Sequence, residues 1–376
     1  MTVLVSIGLA AIVIAFTALI MALSALDRSG APRSRPLPGA RVFPQAGGNI
    51  AKLRDLNLPE LDSTHDLLRW LRLELVQLLP LANHANRTER SNYVEWAVPK
   101  KSGGLRVIAA PKKRLKAIQL RILREILDNV PPSSAAHGFV RGRDVLSNAT
   151  PHVGKTLVVN FDLVDFFGHI AYPRVVGVFR RIGYGKEVSR WLACLCTHQP
   201  KPPRGRGHDR EGRRRHAVQG APSSPAIANL AAWRLDARLC GLARRFQCTY
   251  TRYADDLTFS GDEPFKRSLR RFLPLVRRIV AAERFALHRR KMRFARASRR
   301  QEVTGVVVNR KTNIRRADFD RLKAILHNAR RAGSLESQNR EQRPHFRAYL
   351  LGLAAHVAHL NPQRGERLRR EILALE

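Results

Sequence analysis

Acidic side chains are scarce in this chain: Asp plus Glu number 30 against 68 Lys plus Arg, leaving a formal net charge of +38. A chain so short of carboxylates favours a polyanionic partner held with steep salt dependence, although an Arg-rich proteome would account for part of the excess. Cysteine is scarce too. Cys194, Cys196, Cys240 and Cys248 are too few for a disulfide framework in a chain of this size, which points to a reducing compartment. Cys194 and Cys196 precede His198, His208 and His216, but Cys-x-Cys lacks the paired knuckles of structural zinc sites, so zinc is disfavoured. Charge is missing altogether from Met1 to Leu26, and a run of about 20 apolar residues can span a bilayer. Arg28, Arg33 and Arg35 follow it, which predicts a transmembrane helix over 1–26 with the body in the cytoplasm; translation starting near Met21 or later is the alternative. A Pro/Gly-rich linker over 27–50 comes next, and no internal repeat is apparent.

The few acids present are placed unusually. Asp255 and Asp256 stand side by side in Tyr253-Ala254-Asp255-Asp256, where each raises the other's pKa. Thr249–Tyr253 and Leu257–Ser260 are rich in β-branched and aromatic residues and predict two strands, with both acids exposed at the hairpin tip. Leu157–Phe161 predicts a neighbouring buried strand that delivers Asp162 to the same place. An isolated Asp-Asp pair is usually an ordinary acidic turn. Three converging carboxylates instead suit two divalent metals about 4 Å apart, clamping the oxygens of a phosphoryl displacement.

Further blocks follow in order: His137-Gly138-Phe139 with Gly142-Arg143; Asn148-Ala149-Thr150-Pro151-His152; Phe161-Asp162-Leu163-Val164-Asp165-Phe166-Phe167; Gln219-Gly220-Ala221-Pro222-Ser223-Ser224-Pro225; and Val303-Thr304-Gly305. With the Tyr-Ala-Asp-Asp box, these make the chain resemble the reverse transcriptases of bacterial retrons from about Leu56 to Leu368. The resemblance implies an α+β right-hand polymerase, with fingers and palm over 51–310 and a thumb over 311–376. It implies Asp162, Asp255 and Asp256 as catalytic metal ligands for two Mg2+ ions, with Mn2+ as a substitute. It places Lys100 or Lys101 and Arg106 on the incoming triphosphate, Phe167 as the steric gate against a 2′-hydroxyl, and Gln219 and Gly220 beneath nucleotide and template. Lys291 would protonate the leaving pyrophosphate, Val303-Thr304-Gly305 would form the primer grip, and Asn148 and His152 would be structural or RNA-positioning.

The family also implies dNTP substrates, a structured noncoding RNA as template and primer, msDNA as product, an effector protein, and anti-phage defence. Only roughly 60 residues follow Asn313, which disfavours a group II intron protein. A non-catalytic RNA-binding module and a template-independent abortive-infection polymerase are the competing classes. Two departures stand out: Gly168-His169 replaces the family's Pro-Ser, leaving His169 without a chemical role, and the Arg-rich stretch 199–216 is an insertion that contacts RNA or is merely solvated.

Other local expectations are simpler. One amphipathic helix runs from Ser63 to Leu79, N-capped by Asp62 or Ser63 and ended by Pro80. A hairpin turns at Ser102-Gly103-Gly104, a core helix spans Leu115–Leu127, and helices occupy Asp318–Arg330 and Leu350–Leu360.

Overall fold

The computed structural model describes residues 47–82, 91–99, 103–199 and 214–375. The apolar segment Met1–Leu26, most of the linker, Lys100, Lys101 and residues 200–213 of the 199–216 insertion lie outside the described residues. Among the described residues no helix is long and apolar enough to cross a membrane.

Three short helices lead in: α1 (Ile50–Asp55), α2 (Thr64–Leu71) and α3 (Leu75–Ala82). The single helix expected over Ser63–Leu79 is therefore two. Ser63 does cap it, in a reciprocal box with Asp66, but Arg72 takes the left-handed conformation at φ 55° and breaks the run. Nor does Pro80 end α3. It removes only the bond to the Val76 carbonyl, and Val76 is 73% exposed, so water takes that acceptor.

Strands β1 (Tyr93–Pro99) and β2 (Leu105–Pro111) form the expected hairpin, with Pro99 opposite Leu105 and both Gly103 and Gly104 at positive φ. Helix α4 (Lys113–Glu125) buries Leu115, Ile118 and Ile122, and α5 (Val145–Ala149) starts the segment leading to the central sheet. That sheet is antiparallel in the order β4-β5-β3-β6, built from β3 (Leu157–Asp162), β4 (Cys248–Tyr253), β5 (Asp256–Gly261) and β6 (Arg293–Arg296). Between β3 and β4 run α6 (Tyr172–Ile182), α7 (Lys186–Cys196), α8 (Ser224–Ala231) and α9 (Trp233–Arg245). Helix α10 (Glu263–Ala282) follows β5, and a two-strand hairpin, β7 (Glu302–Val303) and β8 (Val306–Val307), follows β6.

Side-chain alternation makes the sheet two-faced. On one face Phe161, Tyr250, Leu257 and Phe259 are buried, and Phe259 meets Tyr250 at 4.7 Å and Phe272 of α10 at 5.0 Å. Each such ring contributes roughly 2–3 kcal/mol on burial. The strand register puts Asp162, Asn160 and Val158 opposite Asp256, Thr258 and Ser260, and Tyr253, Thr251 and Thr249 opposite those, so the other face is largely polar. That face carries the chemistry.

Helices α11 (Arg316–Ala332), α12 (Phe346–Leu360) and α13 (Pro362–Leu373) end the chain, with Leu322, Leu326, Phe346, Leu350, Val357, Leu368 and Ile372 sharing one core. The last helix went unread. Its signal was Asn361, which accepts from the Arg364 amide as N-cap, followed by Pro362 in the first turn.

Candidate active site

Asp162 ends β3 directly across from Asp256, the first residue of β5, and Asp255 sits in the two-residue loop between β4 and β5. The acids meet as expected, with one adjustment: Asp256 is exposed but Asp255 is half-buried. The Leu163 amide donates to the Asp255 carbonyl at 3.0 Å, locking the loop against the end of β3. Ala254 takes φ 55°, a left-handed conformation costing a non-glycine residue about 1 kcal/mol.

Two neighbours hold that loop. Gly138 lies so close that a Cβ there would come 2.6 Å from the Ala254 nitrogen, which explains glycine in the His-Gly-Phe block. The second is Arg252, fully buried, which pairs with the equally buried Asp236 of α9 through Nε at 2.8 Å and Nη2 at 2.7 Å. Its Nη1 donates to the Asn229 side chain and to the Ala254 carbonyl, each at 3.0 Å. Sequence reasoning missed this pair, because Arg in an Arg-rich chain looks like surface charge. The one available signal was its place in a strand whose alternate residue, Tyr250, faces the core.

The electrostatics are those of crowded, partly dehydrated acids. Partial desolvation by the surrounding chain at this otherwise solvent-open rim, then Asp255 and Asp162, push the Asp256 carboxyl up to about 7. Burial also raises Asp255, with Asp162 adding to it, while Lys291 and Arg106 pull it down. Lys291 Nζ lies 3.2 Å from both Asp162 oxygens. The 3₁₀ turn Arg289–Lys291 and the Lys291 amide bond to the His288 carbonyl aim it there, so Lys291 is the cation paired with Asp162. Among the described residues no cluster of three or more His, Cys, Asp or Glu is arranged to hold a metal ion. The donor set nevertheless fits hard divalent cations: all-oxygen, short of compensating charge, and open on the Asp256 side.

Arg106, on β2, is close enough to lower the Asp255 pKa. Beneath β2, the Ala109 amide donates to the Gln219 carbonyl at 2.8 Å, and a Cβ on Gly220 (φ 108°) would meet the Ala109 oxygen at 2.8 Å. The Gln219 Oε1 is buried without a donor among the described residues. Phe166 is core, packed 5.5 Å from Phe285. Phe167 is half-buried, its ring 6.3 Å from the exposed Phe139. His169 points its Nδ1 at the Asp165 carbonyl, 3.0 Å away.

Asn148 and His152 are not adjacent to the acids in sequence, yet the fold sets them against the same sheet face. His152 bridges Ser260 Oγ at 2.6 Å and Thr251 Oγ1 at 2.8 Å. Asn148 Nδ2 reaches Thr304 Oγ1 at 3.3 Å, and its Oδ1 has no donor among the described residues. Thr304 (φ 46°) and Gly305 (φ 87°) form the two-residue loop joining β7 and β8, both left-handed as such a tight hairpin requires. Val303 is buried against Ala149 and Val158. Thus the Asn-Ala-x-x-His and Val-Thr-Gly blocks form one unit behind the acids.

Burial drives the His152 pKa down to about 3, so the folded chain keeps it neutral. Between about 6.5 and 3 the unfolded chain binds a proton the folded chain refuses, and stability falls as pH falls. Denaturant melts over that window should show up to about 1.4 kcal/mol per pH unit from this residue. His152→Gln should flatten the slope; an unchanged slope would reject this burial account.

Residues 98–308 match the family described as reverse transcriptase (RNA-dependent DNA polymerase). The chain is 42% identical over 327 residues to the Retron Mx65 reverse transcriptase of Myxococcus xanthus, covering 85% of this chain and 73% of that protein. It is 37% identical to the Retron Mx162 enzyme of the same organism, over 86% of this chain and 69% of the relative. To the Retron Ec86 reverse transcriptase of Escherichia coli it is 34% identical, over 74% of this chain and 82% of that protein. On that family match and these identities, the chain belongs to the retron reverse transcriptases and is an RNA-directed DNA polymerase.

Proposed function

We propose that this enzyme makes msDNA by copying a structured noncoding RNA that serves as both template and primer, with a guanosine 2′-hydroxyl as first nucleophile and dNTPs as substrates. The observation that carries the chemistry is Asp162 facing Asp256 across β3 and β5, with Asp255 in the adjoining loop and Lys291 on Asp162. Residues 51–310 act as fingers and palm and 311–376 as thumb. Asp162, Asp255 and Asp256 would hold two Mg2+ ions, Mn2+ substituting, which when bound polarise the attacking hydroxyl and neutralise the leaving pyrophosphate. Everything else falls to the chain itself. Arg106, with Lys100, grips the triphosphate, and Lys291 hands a proton to the leaving group. Gln219 and Gly220, packed beneath β2, shape the floor under the nucleotide and template. The Val303-Thr304-Gly305 turn steadies the primer end, and Asn148 fixes that turn from behind through Thr304.

Phe167 stands as the gate against a 2′-hydroxyl, backed by Phe166 and Phe139. Phe167→Ala should raise ribonucleotide incorporation roughly 10²-fold, the range a steric pocket can enforce. Unchanged sugar selectivity in single-nucleotide extension would remove Phe167 from this role.

The activity is tested by primer extension on the cognate RNA with Mg2+ and sequencing of the product. A DNA copy of that RNA supports the reading; untemplated DNA, or binding without synthesis, defeats it. Anti-phage defence with an effector, and a membrane anchor at Met1–Leu26, complete the proposal. Fractionation tests the anchor: full-length protein should pellet with membranes and the chain lacking 1–26 should not. Recovery of both in the supernatant would end the anchor proposal.

A further inference from the structure

Helix α9 buries Leu235, Asp236, Leu239, Leu242 and Ala243 and turns Trp233, Arg234, Ala237, Arg238, Arg244 and Arg245 outward. These are the two sides of a 3.6-residue repeat. Four arginines thus share the outer face, while the helix's own acid, Asp236, is buried in the pair with Arg252. Between the arginines stand Ala237, Cys240 and Gly241, all small, leaving room for a bulky ligand to approach the backbone. Trp233 is 45% exposed, with the Arg181 guanidinium 5.6 Å from its ring. Glu283 meets Arg238 at 2.9 Å and Arg234 at 3.5 Å, so one carboxylate answers two cations. Beside this face runs an open groove of about 480 Å³, lined by Trp233, Ala237 and Arg244 on one wall and Ser133 and Ser134 on the other.

The groove also touches Cys248 and Tyr250 in the first half of β4, with Tyr250 on the sheet face opposite the acids, whereas Tyr253 beside the acids is where β4 ends. Three to five residues of strand set them about 10–17 Å apart. We propose that the α9 face and its groove form a second RNA-binding surface, separate from the catalytic cleft, that grips the phosphate backbone of the structured RNA. The arginines pair with phosphates, the serines donate to them, and Trp233 stacks on a base or ribose. A bilayer is the poorer occupant, because a concave groove with one exposed aromatic offers little apolar surface to insert. The choice of a structured RNA rests on the function proposed above.

The test uses the full chain with its cleft filled by excess unlabelled, chain-terminated DNA primer on a short RNA template, and a labelled long-stemmed RNA hairpin as probe. In the variant Arg234→Gln/Arg244→Gln/Arg245→Gln, hairpin affinity should fall roughly 10-fold or more at physiological salt. The slope of log affinity against log salt should flatten by about 2. Extension of a generic primer–template should stay within about twofold of the unsubstituted chain. Ala237→Glu, which removes no cation, should weaken the hairpin in the same direction and guards against misfolding of the triple variant. Hairpin affinity unchanged in both variants overturns the proposal, as does an equal loss of primer–template extension, which would assign the patch to the cleft. Loss of binding to phosphatidylglycerol vesicles without loss of hairpin binding overturns it in favour of a membrane. Failure of the unsubstituted chain to extend any primer bears on the polymerase reading alone.

Discussion

Asp255→Asn should abolish DNA synthesis, at least about 10²–10³-fold, the loss usual when one electrostatic stabiliser of a transition state is deleted. Asn matches Asp in shape, so the loop, the Leu163 bond to the residue 255 carbonyl and the close contact with Gly138 should persist. The folded protein disfavours the charge at this position, as the raised Asp255 pKa records. Without Mg2+ the variant should therefore be at least as stable as the unsubstituted chain. Mg2+ should raise the melting temperature of the unsubstituted chain, because an ion that binds only the folded state stabilises it by mass action. The variant should lose most of that rise. RNA affinity should hardly change, since the cationic surface carries it. Normal synthesis by the variant, or an equal Mg2+ effect in both proteins, would show that the metals lie elsewhere.

The largest loss of stability should come from a residue that touches no substrate. Asp236 accepts two hydrogen bonds from Arg252 and one from the Tyr250 hydroxyl at 2.9 Å, all out of water. Asp236→Leu leaves a guanidinium buried without its counter-ion, at a cost of about 3–5 kcal/mol. Denaturant unfolding measures this directly. Adding Arg252→Met should restore most of the stability, since an apolar pair of similar volume often equals a buried ion pair. The double variant should still synthesise DNA poorly, because nothing then donates from position 252 to the Ala254 carbonyl. A single variant as stable as the unsubstituted chain would mean Arg252 finds water or another acid.

Much of the architecture was legible because it is written in short-range chemistry. Gly103-Gly104 marked a hairpin, and β-branched runs on either side of Tyr-Ala-Asp-Asp marked two strands. The loop proved to be Ala254-Asp255 alone, so Asp256 begins β5 instead of sharing the tip as expected, because a two-residue turn fixes the register. Errors fell where local signals compete weakly. Arg72 adopted a left-handed turn that no arginine advertises, and Pro80 was tolerated because its missing hydrogen bond lies at the surface.

What the chain's order of residues determined alone was the polyanion-seeking charge, the strand and helix periods, and the three acids with their turn. Only the tertiary structure decided which cations leave the surface and which distant blocks meet. Arg252 is buried because α9 brings Asp236 to it, and Asn148 reaches Thr304, 156 residues away, because α5 and the β7–β8 hairpin share one sheet face. Such contacts exist only after the chain has closed long loops. The information lies in which surfaces become adjacent, and no window of neighbouring residues contains it.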